Sequence, residues 1–233
     1  DYMPYFHSLK KNCVTGYTYA SIVGGQTANT EFELLTGNTL GFLSAGTTAF
    51  QLYIHGQMPS LVSNLKAEGY SGNKAMHPFN PYNYNRPAVY KDFGFTDFID
   101  KFDFPKNVKR VREYISDEAN VDRIISEYEK NRKKTDQPFY MYNMTIQNHS
   151  PYDKDAANFK QPIKIESSKY DAEANRYLNL IKYSDDSLKQ LTSYFEKCKE
   201  PTIILFLGDH QPRLTDEFMN KITNGQYQTW SGE

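Results

Sequence analysis

The sequence is poor in cysteine and tryptophan and has almost no net charge. Among 233 residues there are two cysteines and one tryptophan, and 27 Lys and Arg nearly balance 28 Asp and Glu. Two cysteines exclude a disulfide-stapled miniprotein, and Cys13 and Cys198 match no metal-binding spacing. A formal charge of −1 excludes an overall field that would attract nucleic acid or an anionic membrane surface. An anionic ligand would therefore have to be bound by a local cluster of groups.

Long hydrophobic runs are also missing. No stretch of 18 apolar residues occurs, and the N-terminal residues lack the apolar core of a signal peptide. We therefore expect a soluble chain, with any membrane anchor belonging to a larger parent protein. Tyrosine and phenylalanine are abundant instead, at 19 and 15 residues, although the mean hydropathy is only −0.72. A chain of this length can bury about 70% of its unfolded surface, so residues 1–233 are expected to form a single domain.

Short β-branched or aromatic runs alternate with helical patterns, which predicts an α/β fold with a mostly parallel central sheet flanked by helices. The predicted strands are residues 17–23, 70–76, 139–146 and 202–207. The last reads TIILFL, and its uninterrupted apolar character is typical of a strand that is buried on both faces. The predicted helices are residues 27–36, 59–68, 117–133 and 171–197. Two segments rich in Pro, Tyr, Asn and charge are predicted to be loops, residues 80–95 and 150–169.

In an open α/β sheet, ligands bind beyond the carboxyl ends of the strands. The reactive side chains that follow the predicted strands are Thr27, His77, Asn148, His149, Asp209 and His210. The two histidines outside this set, His7 and His55, are interpreted as structural. The predicted strand ends therefore bring a hydroxyl, a carboxylate and several imidazoles to one edge of the sheet.

Thr27 follows two glycines and begins a predicted helix, where free backbone N–H groups and the helix dipole favour an approaching anion. This position suits a nucleophilic hydroxyl, although an N-cap threonine is more common, and Thr30 with Glu33 also fits a capping box. Asp209 and His210 offer an oxygen and a nitrogen ligand, which suits Mn²⁺ or Zn²⁺, unless Asp209 only caps a turn. A coordinated metal would make the Thr27 hydroxyl a better nucleophile.

Three further residues are candidates for binding a phosphoryl oxygen or protonating a leaving group: His77, Arg86 and His149. Each has a structural alternative, namely a turn residue, a surface ion pair and a loop cap. Neighbouring tyrosines are candidates for a pocket wall or for packing alone: Tyr82, Tyr84 and Tyr90. Together with the hydroxyl and the Asp-His pair, these side chains form a constellation suited to phosphoryl transfer.

Four sequence blocks carry a resemblance to a known family. They are GGQTANTEFELLTG (24–37), MHPFNPYNYNRPAVYKDFGF (76–95), TIQNHSPY (145–152) and LGDHQPR (207–213). In this order they resemble the lipoteichoic acid synthases and related phosphoglycerol transferases, which belong to the sulfatase-like branch of the alkaline phosphatase superfamily. No single block would be specific, but four blocks spread along the chain are.

The resemblance implies a threonine-nucleophile transferase on the outer face of a bacterial cell membrane. Thr27 would attack the phosphorus of a phosphatidylglycerol head group, release diacylglycerol and form a phosphoglyceryl-threonine intermediate. A glycerol-phosphate polymer or a glycolipid would then accept the group. Asp209 and His210, together with Thr27, match the ligands of the family's metal ion, which is usually Mn²⁺, with Mg²⁺ or Zn²⁺ as alternatives.

The family's phosphoglycerol-binding positions match His77, Tyr84, Arg86 and His149, and His149 is also expected to act in catalysis. The family often has tryptophan where this chain has Tyr84, which affects the shape of the glycerol pocket. The family's metal site also uses a glutamate from a strand before the first block, and this chain begins too late to contain it. We therefore expect a sheet truncated at both ends, an incomplete metal site and a fragment that could be inactive by itself.

Two alternative functions stay open. Phosphoethanolamine transferases also use threonine, so the nucleophile by itself does not identify the head group, and a related phosphodiesterase of the same superfamily is a further alternative. A noncatalytic extracellular module that binds a phosphorylated glycopolymer is the alternative from another class. A true sulfatase is disfavoured, because neither cysteine lies in the Cys/Ser-X-Pro-X-Arg setting that such enzymes need.

Overall fold

The centre of the fold is a small parallel sheet. In a computed structural model, which describes residues 1–11, 13–166 and 171–225, strand β1 (Ser71–Met76) lies between β2 (Asp97–Ile99) and β5 (Phe139–Asn143). Both neighbours run parallel to β1, so the three carboxyl ends meet at one edge. A separate antiparallel hairpin is formed by β3 (Arg110–Val111) and β4 (Tyr114–Ile115). The predicted α/β class with a parallel sheet is confirmed.

Helices occupy much of the remaining described chain. They are α1 (Pro4–Leu9), α2 (Thr27–Thr36), α3 (Ala49–Leu52), α4 (Leu61–Ala67), α5 (Arg86–Phe93), α6 (Asp117–Arg132), α7 (Ala172–Phe195) and α8 (Asp216–Ile222), with 3₁₀ turns at Leu40–Phe42, Asn83–Asn85 and Lys101–Asp103. The four predicted helices are confirmed within two residues at each end. Their caps explain the boundaries: Ser116 Oγ accepts the Ala119 N–H at the start of α6, and Gly37 ends α2 at φ +69°.

The two faces of the sheet pack against different helices, because side chains alternate in direction along a strand. Ala75 of β1 and Phe98 of β2 lie in a core that also contains buried residues of α2, α3, α4 and α5. Met76 and Ile99, the next residues along, lie in a second core with Ile124 of α6. Since α6 also packs along α7, helices cover both faces, as parallel strands require.

Two predicted strands are wrong. Among the described residues, 17–23 and 202–207 form no strand, and their neighbourhood contributes only an isolated parallel bridge between Val23 and Gln211. Ile203 is 98% exposed and Tyr17 is 93% exposed, so TIILFL is not buried on both faces. A strand needs a hydrogen-bonded neighbour as well as β propensity, and among the described residues no further strand pairs with β5 on its outer side. The predictions for 70–76 and 139–146 are confirmed, although β5 ends at Asn143.

The two predicted loops have different outcomes. The loop prediction for 80–95 is wrong, because α5 begins at Arg86, where a following proline suits the first helical turn. Residues 150–166 contain no helix or strand, and residues 167–169 of that prediction lie outside the described residues. Tyr152 and Phe159 anchor this loop in a third core with residues of α7 and α8.

No helix in the described ranges has the length and apolar character needed to cross a membrane. Cys13 and Cys198 are both free thiols, the first exposed and the second partly buried. His7 lies beside Asp1 and His55 Nε2 bonds the Leu52 carbonyl oxygen, both on the exposed surface.

Candidate active site

Thr27 is the first residue of α2 and follows a turn of unusual backbone geometry. Gly24 has φ +70°, and Gln26 has φ +59°, a left-handed conformation that residues other than glycine seldom adopt. Asn29 holds this turn, because its Nδ2 donates to Gln26 Oε1 at 3.1 Å and to the Thr47 carbonyl oxygen at 2.7 Å. Backbone strain of this kind concentrates at functional sites, where surrounding contacts maintain it.

The first turn of α2 has no side-chain cap. The capping box expected from Thr30 and Glu33 is therefore wrong. Thr30 lies one turn inside the helix and donates its hydroxyl to the Asp209 carbonyl oxygen at 2.7 Å, while Glu33 accepts the Leu40 N–H at 2.9 Å. Thr27 is not the N-cap either, since that position belongs to Gln26. The uncapped helix start therefore keeps its capacity to bind an anion.

The loop that follows residue 207 brings His210 to Thr27. The Nε2 atom of His210 lies 3.3 Å from Thr27 Oγ1 and 3.1 Å from Asp209 Oδ2. The loop is fixed to the turn before α2, because the Gly24 N–H donates to the Gln211 carbonyl oxygen at 3.0 Å. The Thr27 hydroxyl thus shares one site with an adjacent carboxylate and imidazole that lie more than 180 residues later in the chain.

The chemistry of these three side chains fits a divalent cation. His210 Nδ1 lies 2.8 Å from the Gln211 carbonyl oxygen and must donate there, which leaves a lone pair on Nε2. That lone pair faces the carboxylate oxygen Oδ2 of Asp209. Because two hydrogen-bond acceptors only 3.1 Å apart repel each other, a cation or a proton between them would stabilise the pair. Mixed nitrogen and oxygen donors suit Mn²⁺ or Zn²⁺ better than Mg²⁺, which prefers oxygen ligands alone. Within the described part of the chain, no group of three or more His, Cys, Asp or Glu side chains adds a fuller ligand set.

His77 follows β1 directly and is 3% exposed. Its backbone N–H donates to the Ile99 carbonyl oxygen at 2.9 Å, and its ring atom Nδ1 lies 3.2 Å from the Met144 carbonyl oxygen. Burial, assisted by the positive charge of Arg86, lowers the pKa of His77 to about 3. His77 is therefore neutral near pH 7, with Nδ1 donating to Met144 and Nε2 available as an acceptor.

Arg86 forms a buried ion pair with Glu31, not the surface pair that was its structural alternative. Its Nη2 and Nε lie 2.6 Å and 3.1 Å from Glu31 Oε1, and the two side chains are 2% and 0% exposed. The Tyr90 hydroxyl donates to the other carboxylate oxygen. Burial alone would lower the pKa of Arg86, but the Glu31 carboxylate outweighs it and raises the pKa. Burial and then Glu31 raise the pKa of Tyr90 well above its ordinary value, so Tyr90 remains a donor.

The three tyrosines near Arg86 have different surroundings. Tyr84 lies against the guanidinium, with Arg86 Cζ 5.1 Å from its ring centroid, and it adopts φ +60°. Tyr90 is buried in the core, and Tyr82 is 78% exposed. Tyr84 is therefore the partly exposed tyrosine that contacts the Arg86 guanidinium.

His149 is exposed on the loop after β5, within an aromatic frame. Its ring stacks on Phe79 at 6.1 Å between centroids and lies 5.8 Å from the Tyr114 ring. Its Nδ1 is 2.6 Å from the Ser150 carbonyl oxygen, to which it donates, and Nε2 has no hydrogen-bond partner in the described part of the chain. Phe79 also contacts His77 at 6.0 Å, so this ring connects the two histidines.

Arg112, in the turn of the β3–β4 hairpin, holds the loop that carries His149. Its guanidinium donates to the carbonyl oxygens of Gln147 at 2.8 Å, His149 at 2.7 Å and Pro151 at 2.6 Å. The ring of Tyr114 lies 5.2 Å from Arg112 Cζ. Three charge-assisted hydrogen bonds to alternate residues fix the path of this loop, and thereby the position of the imidazole.

Sequence reasoning missed Glu31 and Arg112, the two residues that hold Arg86 and the His149 loop. Glu31 could have been found, because it lies on the apolar stripe of α2 at helical spacing from Ala28 and Leu35, and a buried carboxylate requires a partner. Nothing in the sequence around Arg112 distinguishes it from a solvated basic residue in a turn.

Asp117 is a second buried carboxylate at this end of the sheet. It begins α6, its Oδ2 accepts the Ser184 hydroxyl, and its N–H donates to Gln147 Oε1 at 3.0 Å. Its Oδ1 has no partner among the described residues. Burial raises the pKa of Asp117 from 3.8 to about 6, although the Ser184 hydrogen bond opposes this.

We expect Asp117→Asn to remove a pH-dependent loss of stability. The folded protein binds the Asp117 proton more tightly than the unfolded chain, so the free energy of unfolding falls as pH rises from about 4 to about 6. At about 1.4 kcal/mol per pKa unit, the wild type should lose about 3 kcal/mol relative to the Asn variant. Urea unfolding across this pH range measures the difference. Asp122→Asn, on the exposed face of α6, should keep the wild-type slope, and equal slopes for Asp117→Asn would contradict the prediction.

Comparison with known proteins places the chain in a family. The Sulfatase family profile matches residues 1–232. The chain belongs to the Sulfatase family. A Rhizobium meliloti (strain 1021) protein named for cyclic beta-1,2-glucan modification is 36% identical over 217 residues, which cover 92% of this chain and 32% of the relative. Lipoteichoic acid synthase of Staphylococcus aureus (strain USA300) is 28% identical over 196 residues, covering 80% of this chain and 28% of the synthase.

Two solved structures share the fold. The Streptococcus pyogenes phosphoglycerol transferase GacH, in complex with sn-glycerol-1-phosphate, matches 97% of this chain and 59% of its own with a TM-score of 0.75 at 23% identity. The Listeria monocytogenes lipoteichoic acid synthase LtaP matches 84% of this chain and 46% of its own, with a TM-score of 0.71 at 23% identity. The resemblance to lipoteichoic acid synthases and phosphoglycerol transferases is confirmed. The chain spans about a third of the length of the two sequence relatives.

Proposed function

We propose that this chain is the catalytic part of a metal-dependent phosphoglycerol transferase, which moves glycerol phosphate from phosphatidylglycerol to a lipoteichoic-acid-type polymer or a glycolipid. The observation that carries the proposal is the position of Thr27 Oγ1, 3.3 Å from His210 Nε2 at the uncapped start of α2. A hydroxyl, two metal-ligating side chains and an anion-binding helix start are what phosphoryl transfer to threonine needs. The family and the names of the relatives support this reaction class.

In the first step, Thr27 Oγ1 bonds to phosphorus and the bond between phosphorus and the diacylglycerol oxygen breaks. The Thr27 proton leaves to solvent, which reaches this half-buried residue. A divalent cation on Asp209, His210 and Thr27, Mn²⁺ by family resemblance, would lower the pKa of the hydroxyl when bound. The first N–H groups of α2 and its dipole stabilise negative charge on the phosphoryl oxygens.

We assign the proton transfers to His149. His149 starts as the imidazolium, with its Nδ1 proton donated to Ser150, and gives its Nε2 proton to the departing diacylglycerol oxygen in the first step, which leaves a neutral imidazole. In the second step it takes a proton from the acceptor hydroxyl, whose oxygen bonds to phosphorus while the bond from phosphorus to Thr27 Oγ1 breaks. The threonine oxygen regains a proton from solvent, so the enzyme returns to its starting state.

We assign the binding of the donor's phosphoglycerol to His77, Tyr84 and Arg86. Neutral His77 accepts a hydrogen bond through Nε2, which suits a glycerol hydroxyl better than a phosphate oxygen. Glu31 already binds Nε and Nη2 of Arg86, so Nη1, 3.4 Å from the Asn83 carbonyl oxygen, is the nitrogen left for a phosphoryl oxygen. Tyr84 stacks on the same guanidinium and orients it.

We place the activity on the outer face of a bacterial cell membrane, where phosphatidylglycerol is the donor and a longer parent protein provides the anchor. The test is incubation of the purified protein and Mn²⁺ with vesicles of phosphatidylglycerol or phosphatidylethanolamine. We expect diacylglycerol release from phosphatidylglycerol and, after acid quenching, a mass increase of one phosphoglyceryl group on the peptide containing Thr27. Reaction with phosphatidylethanolamine alone would assign a phosphoethanolamine transferase instead, and release without any adduct would favour a phosphodiesterase.

A noncatalytic module that binds phosphorylated glycopolymer is the second candidate. It is favoured by one observation: the described residues supply only two charged or imidazole metal ligands beside Thr27. Such a module would bind glycerol-phosphate oligomers without releasing diacylglycerol, and addition of Mn²⁺ would leave binding unchanged. The same vesicle assay therefore separates the two candidates.

A further inference from the structure

We infer that Asp117 and Ser184 are positioning residues that hold the His149 imidazole in place from α6 and α7, an assignment that rests on the proposed role of His149 in the reaction. His149 is exposed, and the shortest hydrogen bond of its ring goes to the carbonyl oxygen of Ser150, which lies in the same loop. The direction of the imidazole therefore depends on the contacts that anchor this loop.

Asn148, the residue before His149, is anchored by its side chain. Its Nδ2 donates to Ser184 Oγ at 2.8 Å, and the Ser184 hydroxyl donates in turn to Asp117 Oδ2. An amide nitrogen only donates, a hydroxyl both donates and accepts, and an ionised carboxylate only accepts. Each of the three groups in this chain of hydrogen bonds therefore has a partner of the type it needs.

Gln147 ties the loop to the start of α6 as well. It is 1% exposed, its Oε1 accepts the Asp117 backbone N–H at 3.0 Å, and its Nε2 donates to Asn148 Oδ1 at 3.2 Å. The side chains of the two residues before His149 are thus bound to α6, to α7 and to each other. Because a connected network of this kind restricts rotation of the chain within it, the imidazole that follows keeps its direction.

These contacts differ in kind from those of Arg112. Arg112 binds carbonyl oxygens and so fixes the backbone path of the loop, whereas Asp117 and Ser184 bind the side chains of Gln147 and Asn148. Without the side-chain contacts, the imidazole would be free to turn within a loop whose backbone stays in place.

Asp117 is a costly residue if it serves stability alone. Its side chain has two partners among the described residues, the Ser184 hydroxyl and, at 3.5 Å, Gln147 Nε2, and neither carries a charge. Burial of a carboxylate without a cation destabilises a fold, and residues that break this rule are expected at functional sites. A carboxylate at this position is explained by its effect on Ser184: it takes the hydroxyl proton, which leaves the oxygen of Ser184 to accept from Asn148.

Ser184→Ala tests the inference by removing the oxygen that connects Asn148 to Asp117. We expect kcat for diacylglycerol release to fall about tenfold or more with KM unchanged, because a displaced His149 affects the transition state and not donor binding. Ser184→Thr keeps the hydroxyl and should restore most of kcat. Ser187→Ala is the matched control on the same helix, since its hydroxyl donates to the Tyr183 carbonyl oxygen at 3.0 Å, and it should keep the wild-type kcat.

A nuclear magnetic resonance measurement tests the same inference without turnover. The Phe79 ring stacks on the His149 ring with 24° between their planes, so its ring current shifts the His149 Cε1–H resonance in the folded protein. At a fixed alkaline pH, where protonation does not contribute, Ser184→Ala should move this resonance towards the value of an unstructured histidine. Ser187→Ala should leave it in place, and the spectrum of His149→Gln assigns it.

The contribution of Asp117 is measured in the same way. Asp117→Ala should move the His149 resonance in the same direction as Ser184→Ala does. Asp185→Ala is its control, because Asp185 is a buried carboxylate on α7 that accepts the backbone N–H groups of Tyr5 and Phe6 instead. A resonance that Asp117→Ala leaves in place would overturn the inference for Asp117.

An unmoved resonance in Ser184→Ala would overturn the inference, whatever the value of kcat. Equal movement in Ser184→Ala and Ser187→Ala would also overturn it, since it would show a general loosening of α7. If the resonance moves as expected but the wild-type protein cleaves no donor, the positioning role stands and the proposed function fails. If the resonance moves and kcat does not change, the positioning role stands and the proton transfers proposed for His149 fail.

Discussion

Thr27→Ala is expected to reduce donor turnover on the order of 10³-fold or more, because the variant has no oxygen to form the covalent intermediate. The fold should tolerate the change. Thr27 is half-buried and its hydroxyl makes one hydrogen bond within the described ranges, to His210 Nε2, so the free energy of unfolding should fall by only about 1 kcal/mol. Diacylglycerol release from fluorescent phosphatidylglycerol, with divalent cation present, measures turnover, and urea unfolding measures stability.

Two further variants sharpen this test. Thr27→Ser keeps the hydroxyl and should retain measurable turnover. Thr36→Ala removes a threonine hydroxyl from the other end of the same helix, where it donates to the Phe32 carbonyl oxygen at 2.7 Å and accepts the Asn38 N–H at 3.2 Å, and it should react as the wild type does. Retention of wild-type turnover by Thr27→Ala would refute the assignment of the nucleophile, because no other hydroxyl is proposed to react.

Glu31→Ala is expected to lower the free energy of unfolding by about 3–5 kcal/mol, because it leaves the Arg86 guanidinium charged, buried and without its carboxylate partner. The same variant should also lower turnover by about 10²-fold, since Glu31 connects the helix of the nucleophile to the arginine assigned to the donor, and a small displacement of either is costly. Urea unfolding and the kinetic constants for phosphatidylglycerol measure the two effects separately.

A double variant separates the positioning role from the structural one. Glu31→Leu combined with Arg86→Met replaces the ion pair by apolar side chains of similar size, and such replacements are often neutral or stabilising. We expect its stability to return close to that of the wild type while turnover stays low. Glu33→Gln, on the partly exposed side of the same helix, is the control: glutamine keeps an oxygen that can accept the Leu40 N–H, so turnover should be unchanged and the free energy of unfolding nearly so. Full turnover in the stable double variant would show that neither Glu31 nor Arg86 serves the reaction.

Local patterns predicted the elements that depend on local information. The helices 27–36, 117–133 and 171–197 were predictable because their apolar spacing and end signals lie within each segment. The helix that starts at Arg86 was missed, because proline, tyrosine and asparagine dominate that segment and their loop tendency hid its helical spacing. The strand expected at 202–207 failed for the opposite reason: its composition is right, but strand formation depends on a neighbouring chain that the segment itself cannot specify.

The candidate site also has features that the sequence predicted and features that depend on contacts between distant segments. The sequence by itself determined the reactive groups and, through the order of four motifs, their resemblance to a family: Thr27, His77, Arg86, His149, Asp209 and His210. Only the tertiary structure decided their protonation and partners. It surrounds Arg86 with Glu31 and Tyr90, makes His77 neutral by burial, and holds the His149 loop through Arg112. These properties depend on distances between segments that are far apart in the chain, and burial and Coulomb interactions are set by such distances, not by sequence spacing.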